Sequence, residues 1–183
     1  MATDAAAANI VNLSASDRGE LDRLFDRILT VHGAALRRLA AAYTRTESDR
    51  DDLLQEIAIA IWKALPGFRG DCSERTFVFR IAQNRSIAFL ARAHLRRRAS
   101  AEQIDVQDPS PSVETGMVQE QRAAGLKKAV QRLPLPYRQV VVLLLEGLDY
   151  SEIAEVLGIS AANVGARLTR ARQMLRAEME KAG

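Results

Sequence analysis

The chain has 183 residues, 48% hydrophobic and 27% charged, with a formal net charge of +3. That is enough apolar side chain for one domain or two small ones, and too little excess charge to identify a polyanionic partner by itself. Aromatics are only 5%, which disfavours a β-rich fold, and the abundance of Ala, Leu, Arg, Glu and Gln favours helices.

The opening MATDAAAANIVNLSASD lacks the basic segment and apolar stretch of a secretory signal, and residues 1–17 read as a disordered tail. A first helix is expected over residues 18–44, with Leu21, Leu24, Phe25, Ile28, Leu29, Leu36 and Leu39 as its apolar face. Thr46-Glu47-Ser48-Asp49 breaks it and caps a second helix over residues 49–65. There Asp49, Asp51, Asp52 and Glu56 favour the positive helix end, and Leu54, Ala58, Ile61 and Leu65 form the expected inner stripe. Pro66-Gly67 ends that helix, and a loop carries the chain to Ser73, the expected cap of a third helix over residues 74–98. Phe77, Ile81, Ala88 and Leu95 lie along one side of it. Arg75, Arg80, Arg85, Arg92, Arg96, Arg97 and Arg98 make it the most basic segment of the chain.

From residue 99 to 112 the composition turns to Pro, Ser and acidic residues without periodicity, the pattern of a flexible linker. The C-terminal part, residues 113–183, starts with a helix to about residue 132. Leu133-Pro134-Leu135-Pro136 interrupts, and an apolar helix follows over residues 137–146. Two short helices then flank Gly158, a residue that takes the positive φ of a tight helix end. Ser160 is the expected cap of the second, in which Val164, Leu168, Ala171 and Leu175 form one buried stripe. Two helices across a glycine turn, the second rich in arginine, make a helix-turn-helix, which points to duplex DNA. The fold class expected is therefore all-α, with helical domains at residues 18–98 and 113–183.

The motifs DDLLQE at residues 51–56, WKAL at 62–65, FRGD at 68–71, TFVFRIAQN at 76–84, YSEIA at 150–154 and VGARLTRAR at 164–172 occur in that order around the linker. In this arrangement the chain resembles an extracytoplasmic-function (ECF) sigma factor of bacterial RNA polymerase, from about residue 20 to 178. The resemblance implies a region 2 module that binds the polymerase clamp and opens the minus-ten element. It also implies a region 4 module that reads the minus-thirty-five element, and promoter-specific initiation controlled by an anti-sigma factor.

Carried over by resemblance, Asp52, Gln55 and Glu56 face core RNA polymerase. Asp71, Cys72, Ser73 and Glu74 form the loop that holds a promoter base, and Asn84 contacts another. Arg92 and Arg96 are expected to follow phosphates of the minus-ten region. Phe77 stands where many relatives carry Trp, and Gly165-Ala166 where many carry a basic residue and Ser. Readout of minus-thirty-five promoter DNA then falls to Asn163, Thr169, Arg170 and Gln173, with Arg167 and Arg172 on phosphates.

Two other readings remain open: a helix-turn-helix regulator with a sensor domain, and a sigma-like decoy for an anti-sigma factor. The first leaves DDLLQE and FRGD without a role, and the second lacks room for a receiver domain. An enzyme is not expected, since there is no P-loop, no Cys/His metal spacing, and His32 and His94 lie far apart. No catalytic residue, metal or cofactor is implied. The single cysteine, Cys72, excludes an intrachain disulfide, and no apolar run reaches the ~20 residues of a membrane helix. A cytoplasmic protein without membrane insertion is expected.

Overall fold

The computed structural model describes residues 15–100 and 117–182, and every regular element among them is helical. The N-terminal module consists of α1 (Ala15–Tyr43), α2 (Glu47–Ala64), a 3-10 turn (Leu65–Gly67) and α3 (Glu74–Ser100). The C-terminal module consists of α4 (Met117–Arg132), α5 (Leu135–Leu145), α6 (Tyr150–Leu157) and α7 (Ala161–Ala182). Helix α1 starts within the stretch read as a tail, and Ala99 and Ser100, read as linker, complete α3. The remainder of both segments lies outside the described residues.

Each boundary has a local cause. Thr46 Oγ1 accepts the Asp49 amide at 3.0 Å and so caps α2. Ser73 Oγ accepts the Thr76 amide at 3.0 Å and caps α3. Asp149 and Glu152 form a reciprocal capping box at the start of α6. Gly158, at φ 66° in the left-handed region, ends α6, and Ser160 Oγ accepts the Asn163 amide at 3.2 Å to open α7. The helix-turn-helix thus forms through the residues that its sequence nominates.

Two apolar stripes differ from expectation. In α2 the fully buried set is Leu53, Ile57 and Ile61, while Leu54 and Ala58 are half-buried. In α3 the buried face is Val78, Phe79, Ala82, Gln83, Ser86 and Phe89; Phe77, Ile81 and Ala88 are half-buried and Leu95 is 66% exposed. Both sequences are apolar at neighbouring positions, so more than one stripe satisfies helical periodicity. Packing among α1, α2 and α3 selects between them. Each large aliphatic chain taken out of water on the selected stripe contributes about 1.5–3 kcal/mol. In α7, by contrast, Val164, Leu168 and Ala171 are buried and Leu175 half-buried, as expected.

The two modules share one apolar core. A polar thread crosses their junction. Gln131 of α4 donates through Nε2 to the carbonyls of Ala41 and Thr44 at 2.8 and 2.7 Å, satisfying acceptors that the end of α1 leaves unpaired. The Arg138 guanidinium lies 5.8 Å from the Tyr43 ring centroid and donates to the Gln131 and Leu133 carbonyls. Burial lowers its pKa. Tyr43, buried, donates from its hydroxyl to Gln83 Oε1 at 2.7 Å, and burial raises its pKa. Tyr43→Phe leaves the Gln83 oxygen buried without a donor. It is expected to lower unfolding stability by about 1–3 kcal/mol, read from the urea midpoint at unchanged m-value.

Candidate nucleic-acid interface

Helix α3 presents two different surfaces. At its N-terminal end, Gly70 takes φ 79° and turns the chain toward the helix. Phe68 packs on Phe77 with ring centroids 4.6 Å apart, which fixes the base of the loop. Of the four loop residues, Ser73 and Glu74 already have partners. Ser73 caps the helix and donates to Thr76 Oγ1 at 2.9 Å. Glu74 receives Arg27 Nη2 at 2.5 Å and lies 3.2 Å from His32 Nε2. Glu74 thus ties the end of the loop to α1, while Asp71 is exposed and Cys72 half-buried. Asn84 is exposed and its amide has no partner among the described residues. Thr76, Arg80 and Asn84 recur every four residues, so one edge of α3 runs from the loop to that amide.

The C-terminal end of α3 faces elsewhere. Arg92 and Arg96 sit about 27 and 33 Å beyond Glu74 along the helix axis, too far to join the loop. Arg92 Nη2 instead contacts both Glu56 carboxylate oxygens, at 2.6 and 2.5 Å. Arg92 and Arg96 flank Phe89, 5.9 and 6.0 Å from its centroid. With Asp52, Gln55, Glu56 and exposed Leu95 they line one open groove of about 530 Å³. The structure places these two arginines beside the acidic face of α2, farther along α3 than the loop.

On α7, Asn163, Ala166, Thr169, Arg170, Arg172 and Gln173 are exposed and Arg167 is half-buried. Their common helix and the buried Val164–Leu168–Ala171 stripe fix them on the outer side, where a major groove would meet them. The Thr169 hydroxyl donates to the Gly165 carbonyl at 3.0 Å, so toward a base it can only accept.

Sequence reasoning missed a third feature, a line of ion pairs between the modules. Arg38 makes a two-oxygen contact with Glu146, with Nη2 2.7 Å from Oε2 and Nε 3.1 Å from Oε1. The carboxylate is only 4% exposed, and its hydrogen bond, then its charge, raises the Arg38 pKa. Arg75 donates to the Glu146 carbonyl at 2.5 Å and lies 3.7 Å from Glu152 Oε1. Arg80 donates to the Glu155 carbonyl at 3.1 Å and lies 3.6 Å from its Oε1. Partners 71 to 108 positions apart leave no local pattern to read.

Comparison with known proteins covers both modules. Residues 28–100 match sigma-70 region 2, and residues 124–175 match sigma-70 region 4. The chain is 32% identical over 163 residues to the ECF RNA polymerase sigma factor SigM of Mycobacterium tuberculosis, covering 88% of this chain and 78% of that protein. It is similar to the structure of CnrH in complex with the cytosolic domain of CnrY, with TM-score 0.67 and 27% identity over 100% of both chains. The sigma factor RpoE in complex with the anti-sigma factor NepR, from Bartonella quintana, has TM-score 0.68 at 22% identity, over 85% of this chain and 96% of that one. This last likeness bears on the fold alone.

Gly165 offers a check on the geometry of α7. A Cβ there would meet Tyr150 Cε2 at 3.7 Å, an ordinary contact. Gly165→Ala is therefore expected to raise stability by roughly 0.5–1 kcal/mol through helix propensity, measured by urea denaturation. A loss of stability would show that α6 and α7 approach more closely than described.

Proposed function

Because the chain belongs to the ECF RNA polymerase sigma factors, we propose that it acts through three surfaces, one for polymerase and two for promoter DNA. The observation that carries this reading is that a loop-and-helix edge and a basic outward recognition helix occur on separate modules of one chain. Opened strand and intact duplex are different ligands and need different geometry. An unpaired base needs a loop and a polar edge that can hold it outside the stack. A duplex needs a helix that fits the major groove.

In this reading Asp71, Cys72 and Asn84 meet the opened minus-ten strand, while Ser73 and Glu74 shape the loop through their bonds to Thr76, Arg27 and His32. Asn163, Arg170 and Gln173 read minus-thirty-five bases; Thr169 contributes an acceptor; Arg167 and Arg172 hold phosphates. Asp52, Gln55 and Glu56 meet the polymerase clamp, with Arg92, Arg96 and Leu95 on the rim of the same groove. Catalysis belongs to polymerase, and this chain, working in the cytoplasm, is a dissociable specificity subunit and not an enzyme. An anti-sigma factor holds it inactive, in keeping with the similar CnrH, whose structure is a complex with the cytosolic domain of CnrY.

Holoenzyme reconstituted from core polymerase and this chain tests the assignments. Arg170→Ala is expected to cost about 1–3 kcal/mol of discrimination at one minus-thirty-five position, read from promoters selected out of a randomised library. Its affinity for core is expected to be unchanged. Glu56→Arg is expected to weaken core binding in a sedimentation or polarisation assay while leaving duplex binding by α7 intact. Unchanged promoter choice and unchanged core affinity in the two variants would remove these residues from their roles.

A further inference from the structure

A cavity of about 370 Å³ lies where the end of α1 and the C-terminal half of α3 meet the α4–α5 junction. Its size falls in the range of about 300–1,000 Å³ of small-molecule sites. Ile87, Leu90, Leu133 and Leu135 give it apolar walls, together with the buried residues Tyr43 and Phe89. Two arginines line it, Arg138 from α5 and Arg45 from the turn after α1. Arg138 is half-buried, and its contacts go to neutral groups, namely the Gln131 and Leu133 carbonyls and the Tyr43 ring. Its Nε is buried without a hydrogen-bond partner. Burial disfavours its charged form, and the nearby Arg45 charge acts in the same sense, against the effect of Tyr43. The other arginines of the module junction, Arg38, Arg75 and Arg80, each have a glutamate. Among the described residues neither Arg138 nor Arg45 forms an ion pair, although Asp49 lies on the same wall. A half-buried cation without a counter-ion costs free energy, which an anion beside it would offset. Two arginines against Asp49, with His94 neutral, leave one positive charge over.

We propose that this cavity binds a small monocarboxylate with a compact apolar body. The carboxylate lies by Arg45 and Arg138, and the body lies against Leu90, Leu133 and Leu135. The walls account for each part of that chemistry. A free inorganic anion would leave the apolar surface uncovered, and a neutral apolar molecule would leave Arg138 without a counter-ion. Because the walls come from both modules, occupancy stabilises the folded chain as a whole by mass action. The site shares no residue with the surfaces assigned above to polymerase and promoter, and it stands independently of them.

Methyl resonances of Ile87, Leu90 and Leu135 in the full chain, titrated with benzoate, phenylacetate and hexanoate, test the proposal. At least one of these acids is expected to shift them saturably and to raise the urea midpoint. Benzyl alcohol and inorganic phosphate are expected to bind about tenfold more weakly, since each lacks one of the two recognised parts. The Arg45 side chain is exposed, so Arg45→Gln removes charge without removing core packing. It is expected to weaken binding of the acid about tenfold, the loss of one charge-assisted hydrogen bond. It is also expected to raise the urea midpoint of the unliganded chain, by removing a like charge from beside Arg138. Lys128→Gln, the same change on the exposed side of α4, should do neither. Three acids without a saturable shift overturn the proposal. So does benzyl alcohol binding as tightly as benzoate, or an Arg45→Gln chain with unchanged affinity or a lowered unliganded midpoint. Neither DNA nor polymerase is present in these measurements, so their failure leaves the promoter and polymerase assignments standing.

Discussion

The division of α3 into a buried face and a polar edge is the constraint from which the rest follows. Val78, Phe79, Ala82, Ser86 and Phe89 must enter the core against α1 and α2, and Gln83 enters with them because Tyr43 donates to its side chain. Once that face is committed, Thr76, Arg80 and Asn84 fall on a second line, next to the loop that Ser73 and Glu74 hold in place. The far end of the same helix then passes α2, where Arg92 meets Glu56. One helix so connects the loop proposed for the opened strand to the surface proposed for polymerase. A shift in its rotation would misplace both.

How much of this could be read from sequence depends on how much each segment leaves to tertiary packing. In the helix-turn-helix Gly158, Ser160 and an isolated apolar stripe allow one solution, and the structure adopts it. In DDLLQEIAIAIW the apolar positions run together, so the Leu54 and Leu53 stripes are equally periodic. Only contact with α1 and α3 makes Leu53, Ile57 and Ile61 the inner ones. Arg92 was legible as a cation but not as a partner of Glu56, 36 positions away. The same holds for Glu74, whose partners Arg27 and His32 precede it by 47 and 42 residues. Charge is visible in a sequence; the partner that fixes its role is not.

The contact between modules is built from terms of different strength. The shared apolar core, the Gln131 hydrogen bonds to Ala41 and Thr44 and the Arg138–Tyr43 contact give it a fixed geometry. The ion pairs of Arg75 and Arg80 are partly open to solvent, and such pairs contribute about 0–1 kcal/mol each and weaken with salt. That hierarchy places the fixed geometry in the apolar core and leaves the ion pairs as the weaker, solvent-open part of the contact. It also explains why +3 net charge is compatible with DNA binding. The cations are dense on α3 and α7, and on α3 Arg75, Arg80 and Arg92 are paired with carboxylates of other helices.

Promoter opening is the act that separates a sigma factor from an ordinary helix-turn-helix regulator. Permanganate reactivity of unpaired thymines in a promoter fragment reports it directly. With core polymerase and this chain together, reactive thymines should appear in the minus-ten region, and neither component alone should produce them. Protection of duplex DNA by the chain alone, with no reactive thymines when polymerase is added, would contradict the sigma-factor role and leave a duplex-binding regulator in its place.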